Sequence, residues 1–213
     1  MKASPIRLFG LKALLWLPLA FFLWFVFAEV LVWPVVRLAG VAMTTMWPSL
    51  FTDIAQAGQT MDVGTRVLVN QAGAGPAGGI GELVLTQNPM IYGYALPLFS
   101  GLAMATPITT RRRLAQFALA FALIWLAQSF GVVAESLKLL AFDSGEAGAA
   151  AIARAGIGAD AIALAYQFGY LILPAVAPVA LWLGLNRDFV QSLVHPVAEP
   201  AAGSPGPSPG TQE

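Results

Sequence analysis

The sequence RRRLAQFALAFALIWLAQSFGVVAE occupies residues 111–135 and decides the fold class. It sets 21 uncharged residues, Leu114 to Ala134, between three arginines and a glutamate. A transmembrane helix needs about 20 apolar residues to cross about 30 Å of hydrocarbon. This stretch therefore predicts a helix that spans a membrane.

The overall composition points the same way. Hydrophobic residues make up 58% of the 213 residues and charged residues only 10%, whereas about 25% of the residues of a soluble domain are charged. This excludes an ordinary soluble enzyme. The chain has no cysteine, which excludes disulfide bonds and thiolate ligands. Its 11 Lys+Arg balance 11 Asp+Glu, so the charge does not indicate nucleic-acid binding.

Three further stretches with few charges have a suitable length, approximately 13–36, 90–106 and 161–186. Together with the first they predict an α-helical integral membrane protein with four transmembrane helices. Lys2 and Arg7 precede the first stretch, as they would in a cleaved signal peptide. The apolar run is longer than the 7–15 residues of a signal sequence and no small-residue cleavage site follows it, so we expect an uncleaved anchor.

The Lys/Arg distribution predicts the orientation, because cytoplasmic loops of membrane proteins are enriched in these residues. With the N-terminus in the cytoplasm, seven basic residues lie inside: Lys2, Arg7, Lys12, Arg111, Arg112, Arg113 and Arg187. Four lie outside: Arg37, Arg66, Lys138 and Arg154. We therefore expect both termini to be cytoplasmic and residues 40–89 and 136–160 to face outward.

The first outward segment has the pattern of a small sheet. Apolar and polar residues alternate over 61–70, the segment QAGAGPAGG at 71–79 is typical of a turn, and 80–86 reads as a returning strand. Residues 52–56 add a possible third strand, with Gly58 at its turn. This predicts an extracytoplasmic antiparallel β meander between transmembrane helices 1 and 2, too small to be stable without packing on other elements.

The resulting organisation has four parts. Residues 1–50 form an N-terminal anchor helix and a short interfacial helix at 34–50, and residues 51–89 form the β meander. Residues 90–190 form a three-helix membrane region, in which 143–159 is a loop with one helical turn. The Pro/Gly/Ser-rich residues 191–213 form a disordered cytoplasmic tail.

Four charged residues are candidates for a polar cluster beneath the sheet: Glu29, Arg37, Glu135 and Lys138. At 1.5 Å per residue, Glu29 lies about 25 Å above Lys12 and Glu135 about 33 Å above Arg113, so both carboxylates fall near the outer membrane boundary. Lys138 is three residues after Glu135 and can pair with it. The alternative is a solvated ion pair with no convergence of the four residues.

Gln128 and Gln167 are candidates for an interhelical pair. Both amides fall about 10 Å below the outer boundary on neighbouring helices, and an amide in hydrocarbon requires a hydrogen-bond partner. The alternative is a polar substrate path that Tyr166 and Tyr170 would complete.

No residue pattern indicates an enzyme. There is no His- or carboxylate-rich metal-ligand spacing, and the only histidine, His195, follows the last predicted span. Nucleophile arrangements that depend on histidine are therefore not available within the membrane or outside it. Gly73 to Gly81 lacks the lysine and the following helix of a phosphate-binding loop. The prediction is a non-enzymatic protein with no metal and no cofactor.

Four segments together are similar to a known family: LWLPLAFFLWFVFAEVLVWPVVRLAG from Leu15, GELVLTQNPMIYGYALPLFSGLAMATP from Gly81, AQSFGVVAESLKLLAF from Ala127, and ALAYQFGYLILPAVAPVALW from Ala163 with NRDF after it. Over approximately residues 10–190 the chain resembles the exosortase H-associated membrane proteins of Gram-negative bacteria. The resemblance implies a bacterial inner (cytoplasmic) membrane location and an accessory role in protein sorting. Its implied partners are an exosortase-type membrane peptidase or that enzyme's sorting-signal substrate, besides the lipid bilayer.

The resemblance also implies what the chain is not. Exosortases use Cys, Arg and His, and this chain has no cysteine, so it departs from the peptidase pattern. A small transporter or channel component with a polar path near Gln128 and Gln167 is the alternative function, although no inverted repeat or midplane charge supports it. A membrane enzyme that uses the outward carboxylates is the third hypothesis.

Overall fold

Eight α-helices and one three-stranded sheet make up the described part of the chain, residues 5–71 and 79–194 of the computed structural model. The first three helices are α1 (Pro5–Val26), α2 (Ala28–Met46) and α3 (Ala95–Ala105). The others are α4 (Thr110–Lys138), α5 (Gly145–Arg154), α6 (Ala159–Gln167), α7 (Leu173–Leu185) and α8 (Arg187–Val194). The strands are β1 (Phe51–Ala57), β2 (Thr60–Gln71) and β3 (Gly79–Gln87).

Helices α1 and α2 follow one another with a single residue, Phe27, between them. The Phe27 N–H donates to the Leu23 carbonyl at 2.9 Å, and its own carbonyl accepts from the Leu31 N–H at 3.0 Å. The helical hydrogen-bond pattern therefore continues through Phe27, and α2 extends α1 instead of folding back on it. At 1.5 Å per residue the two helices run for about 60 Å, which is twice the hydrocarbon thickness.

Four helical segments are long and apolar enough to cross a membrane: Ile6–Val26, Ala28–Met46, Thr110–Asp143 and Ala159–Leu185. The number of such segments equals the predicted four, but the set differs from the predicted one, and the first two segments belong to one continuous helix. The predicted second span, 90–106, contains only the 11-residue helix α3. The predicted interfacial helix at 34–50 is part of α2, which begins at Ala28 and has the length of a span.

Helix α3 is short because a proline turn fixes each end. Before it, the Asn88 side chain accepts a hydrogen bond from the Met90 N–H, and a 3₁₀ turn covers Pro89–Tyr92. After it, Thr106 has φ −78° and ψ 132°, the extended conformation that a residue before proline prefers. Hydropathy does not register either turn, so the predicted apolar segment 90–106 is longer than the helix α3.

The predicted antiparallel sheet is present, with the strand order β1-β2-β3. Gly58 has φ +63°, the left-handed conformation that glycine adopts without strain, and it lies in the turn between β1 and β2. The sheet packs on α2, and at Gly40 an added Cβ would be 3.5 Å from the Ile54 Cβ. The residues of the sheet that are buried in this contact include Phe51, Met61, Val63, Val67 and Leu85.

The sheet lies at one end of the helices. The Gln87 amide, at the end of β3, donates to the Ser136 hydroxyl of α4 at 2.7 Å, whereas Arg111–Arg113 form the first turn of α4. The helix is about 43 Å long at 1.5 Å per residue. The end near Ser136 is called the sheet end below, and the opposite end the arginine end.

Two predicted irregular segments contain helices. Residues 143–159 were expected to be a loop, but α5 occupies Gly145–Arg154 and buries Ala151 and Ile152 in the core beside the sheet. The expected disordered tail began at residue 191, but α8 continues to Val194. The rest of the tail, 195–213, and most of the predicted 71–79 turn lie outside the described residues.

Helix α4 meets the α6–α7 segment at a very close contact. An added Cβ on Gly169 would be 2.9 Å from the Gly131 Cα, and one on Gly131 would be 2.6 Å from the Tyr92 ring. Gly169 lies in a π-helical turn, Phe168–Ile172, directly before Pro174. Since Pro174 has no N–H, the regular ladder is interrupted there.

We predict that Gly169→Ala destabilises the protein by about 1–3 kcal/mol, the usual cost of overpacking a tight contact. The matched control is Gly184→Ala, because an added Cβ at Gly184 meets no atom within 4 Å. Thermal unfolding of the purified protein in detergent measures both. A Gly169→Ala variant as stable as the control would contradict the close contact.

Candidate functional site

A buried hydrogen bond joins the 3₁₀ turn before α3 to α4. The Tyr92 hydroxyl donates to Glu135 Oε2 at 2.9 Å, and Tyr92 is only 1% exposed. The ring lies against the bare backbone of Gly131, one turn before Glu135. The carboxylate at the sheet end of α4 is therefore held by a phenol whose ring packs on the same helix.

Two more tyrosines extend this contact toward α6. Tyr170 meets the Tyr92 ring edge-on at 6.0 Å between ring centres, and Tyr166 stacks on Tyr170 at 5.6 Å. The Lys138 Nζ lies 5.5 Å from the centre of the Tyr166 ring. Tyr92, Tyr166, Tyr170, Glu135 and Lys138 are called the tyrosine cluster below.

Two π-helical turns border the tyrosine cluster. One covers Leu139–Asp143 at the end of α4, and the other covers Phe168–Ile172. Across the first turn the Lys138 Nζ forms an ion pair with Asp143 Oδ2 at 2.6 Å. Such turns often occur at functional sites because they redirect side chains from the regular helical positions. Here one turn carries Tyr170 of the cluster, and the other follows Lys138 directly.

The four charged residues predicted to converge are not brought together. Glu135 and Lys138 both belong to the tyrosine cluster, but the partner of Lys138 is Asp143. Glu29 and Arg37 lie on an exposed stripe of α2, where the Arg37 guanidinium is 5.6 Å from the Trp33 ring centre. A spacing of four residues puts 29, 33 and 37 on one helix face. That face differs from the buried one, which consists of Ala28, Val32, Val35, Val36, Ala39 and Met43.

Gln128 and Gln167 do not form the predicted pair. The Gln128 amide N–H donates to the Pro89 carbonyl at 2.9 Å, and Gln128 is buried. Gln167 is exposed on α6. The physical reason is that the 3₁₀ turn Pro89–Tyr92 lies beside α4 and brings a backbone carbonyl within reach of the Gln128 amide N–H. Gln167 is therefore not the partner of Gln128, and the Gln128 Oε1 is buried with no hydrogen bond among the described residues.

The outward face of the sheet carries an apolar patch. Leu68, Ile80 and Val84 are 60%, 70% and 56% exposed, while the other face packs on α2. Glu82 pairs with Leu68 across the strands, and the Thr86 hydroxyl donates to Asp62 Oδ1 at 2.7 Å. On β3, Glu82 also lies between Ile80 and Val84 on the same face, so one acidic side chain lies within the patch and Asp62 lies beside it. Leu68, Ile80 and Val84 are called the outward patch below.

The described residues contain no group of three or more His, Asp or Glu side chains that could hold a metal ion. The tyrosine cluster can donate and accept hydrogen bonds, and the outward patch can bind apolar groups. Sequence reasoning missed Tyr92 and Asp143. The asparagine–proline signal at 88–89 indicates the turn before Tyr92. The orientation of the Tyr92 side chain depends on its contact with Gly131, which the sequence does not predict.

The family model described as exosortase H-associated membrane protein matches residues 3–189. The chain belongs to this family. The match includes the whole tyrosine cluster and the outward patch, and it confirms the resemblance of the four sequence segments. No curated protein and no solved structure matches the chain.

Membership establishes that this is a membrane protein of a family associated with exosortase H. It is consistent with an accessory protein and not with the peptidase, since a cysteine peptidase requires a cysteine and the chain has none. The four apolar helical segments fit a multi-pass member of this family.

We predict that Tyr92→Phe destabilises this family member by about 1.5–3 kcal/mol, because Glu135 loses its hydrogen bond from a buried donor. Tyr94→Phe is the matched control. Tyr94 is two residues away, and its hydroxyl has no hydrogen bond among the described residues. Thermal unfolding in detergent compares the two, and equal stability of both variants would contradict a stabilising role of the Tyr92–Glu135 bond.

Proposed function

We propose that the chain is a non-enzymatic accessory membrane protein that binds an exosortase, or its sorting-signal substrate, through the sheet. The observation that carries this proposal is the outward patch. Three large aliphatic side chains are exposed on the sheet face that the helices leave uncovered. Clustered exposed apolar residues on a face rimmed by polar groups are typical of a protein-binding surface.

The position of β3 supports the same surface. In the strand order β1-β2-β3, β3 is an edge strand with β2 as its only strand neighbour among the described residues. The free edge of a strand can accept an added strand from a partner. Ile80 and Val84 belong to β3, so a strand added there would lie next to the outward patch.

The transporter alternative is not favoured by a specific contact. It required a polar path at Gln128 and Gln167, but Gln128 bonds to the Pro89 carbonyl and Gln167 is exposed on α6. The cavity beside Gln128 is lined mainly by apolar residues, and it has no room for a water molecule. A continuous polar path therefore has no support in this part of the chain.

We further propose that the sheet faces the outside of the bacterial inner membrane and that α8 lies on the cytoplasmic side. The excess of Lys/Arg at the arginine end supports this orientation.

We predict that alkaline phosphatase fused after Val194 is inactive, because it stays in the cytoplasm. The same enzyme inserted between Gly58 and Gln59 should be active, because that turn lies in the sheet. The opposite pair of activities would overturn the orientation.

The binding proposal predicts that Leu68→Glu with Val84→Glu abolishes capture of the co-expressed exosortase. Both side chains are exposed, so the change removes apolar contact area without opening the core. Ala57→Glu is the control, because this residue is also exposed on the sheet but lies away from the outward patch. The measurement is co-purification from membranes at matched abundance.

A double variant that still co-purifies would exclude the outward patch as the binding surface. Proline at Val67, which would test the strand directly, is unsuitable, because Val67 is only 4% exposed and belongs to the core. Its replacement would disrupt the sheet itself.

A further inference from the structure

The arginine end carries a large positive charge that the net charge of zero conceals. Six basic side chains of the described residues lie there: Arg7, Lys12, Arg111, Arg112, Arg113 and Arg187. One acidic residue, Asp188, lies with them. The sheet end has the opposite balance, with four basic and eight acidic side chains among the described residues. The basic ones are Arg37, Arg66, Lys138 and Arg154, and the acidic ones are Glu29, Asp53, Asp62, Glu82, Glu135, Asp143, Glu146 and Asp160. Charge is thus separated along the helices.

Packing contacts gather these basic residues from separate helices. The Phe9 ring of α1 stacks on Trp182 of α7 at 5.4 Å and meets Phe189 of α8 at the same distance. The Arg112 guanidinium donates to the Leu185 carbonyl at 2.9 Å, which places the first turn of α4 against the end of α7. The basic residues of α1, α4 and α8 therefore border a common surface.

The arginines of this surface have two different roles. The Arg113 guanidinium donates to the Thr106 carbonyl at 3.1 Å and to the Ile108 carbonyl at 3.3 Å, so it holds the turn before α4. Arg111 and Arg187 are exposed, and neither forms a hydrogen bond or an ion pair within the described residues. Their guanidinium groups are therefore accessible to a ligand from outside this part of the chain.

Helix α8 has the form of a helix that lies at a membrane surface. Phe189 and Val190 pack inward on the core, and Val194 is 66% exposed. Amphipathic helices beside a transmembrane segment lie at the level of the lipid headgroups. Arg111 lies at the start of the apolar segment Thr110–Asp143, and Arg187 lies two residues after the end of Ala159–Leu185, so both arginines lie where the apolar segments end, at headgroup level.

We propose that the arginine end binds an anionic phospholipid, with Arg111 and Arg187 contacting the headgroup phosphate. A guanidinium group matches two phosphate oxygens with parallel hydrogen bonds. Each basic residue near an anionic lipid surface contributes about fivefold in affinity. This surface is independent of the partner that we propose for the sheet.

The experiment uses the full chain in detergent with added phosphatidylglycerol or phosphatidylcholine, and native mass spectrometry measures the bound lipid. We expect tighter binding of phosphatidylglycerol, and a loss of about 25-fold in Arg111→Gln/Arg187→Gln. Arg37→Gln/Arg154→Gln is the control, because it removes the same charge from the sheet end and should keep the affinity.

Unchanged phosphatidylglycerol binding in the first double variant would overturn the proposal. An equal loss in the control would do so too, because it would show a general effect of charge. Inorganic phosphate should not displace the lipid at equal concentration; displacement would identify a site for free anions instead. Arg111→Lys/Arg187→Lys keeps the charge but loses the parallel hydrogen bonds, so its affinity should fall between those of the wild type and of Arg111→Gln/Arg187→Gln. An affinity no higher than that of the glutamine variant would contradict the proposal.

Discussion

The absence of a side chain at Gly131 is the constraint on which the rest of the structure depends. On one side of this residue the Tyr92 ring lies against the backbone, and on another side Gly169 approaches within a distance that no Cβ would permit. Three elements meet there: the turn before α3, the helix α4 and the π-helical turn before α7. Close approach of helices at small residues is a main source of stability in membranes, where hydrophobic burial contributes little.

The functional surfaces follow from that contact. Because Tyr92 lies flat on Gly131, its hydroxyl reaches Glu135, and because Gly169 lies close by, Tyr170 reaches Tyr92. The tyrosine cluster thereby joins α4 to α6 directly below the sheet. The sheet itself packs on α2, and its other face is left with the outward patch exposed. The proposed partner surface is therefore supported by elements whose relative positions two glycines determine.

Particular residues show how far the sequence could be interpreted. The run from Leu114 to Ala134 correctly predicted a spanning helix, since a long uncharged segment has no other stable form in a membrane. The run at 90–106 was misleading, because the turns at Pro89 and Pro107 shorten α3 and hydropathy does not register them. The segment at 143–159 was expected to be a loop with one helical turn, yet Gly145–Arg154 form the longer helix α5, and burial of Ala151 and Ile152 stabilises it. Gln128 was expected to have a partner and has one, but it is a backbone carbonyl.

The sequence by itself determined the class of protein, the apolar segment of α4, the small sheet and the family. These depend on local composition, alternation and segment similarity, which need no knowledge of neighbours. Only the tertiary structure decided that Glu135 bonds to Tyr92, that Lys138 pairs with Asp143, and that Glu29 and Arg37 face away from both. Those outcomes depend on the rotation of each helix about its axis, on the π-helical turn after Lys138, and on the distance between backbones at Gly131 and Gly169. Residues far apart in sequence acquire a common site only when that packing is formed.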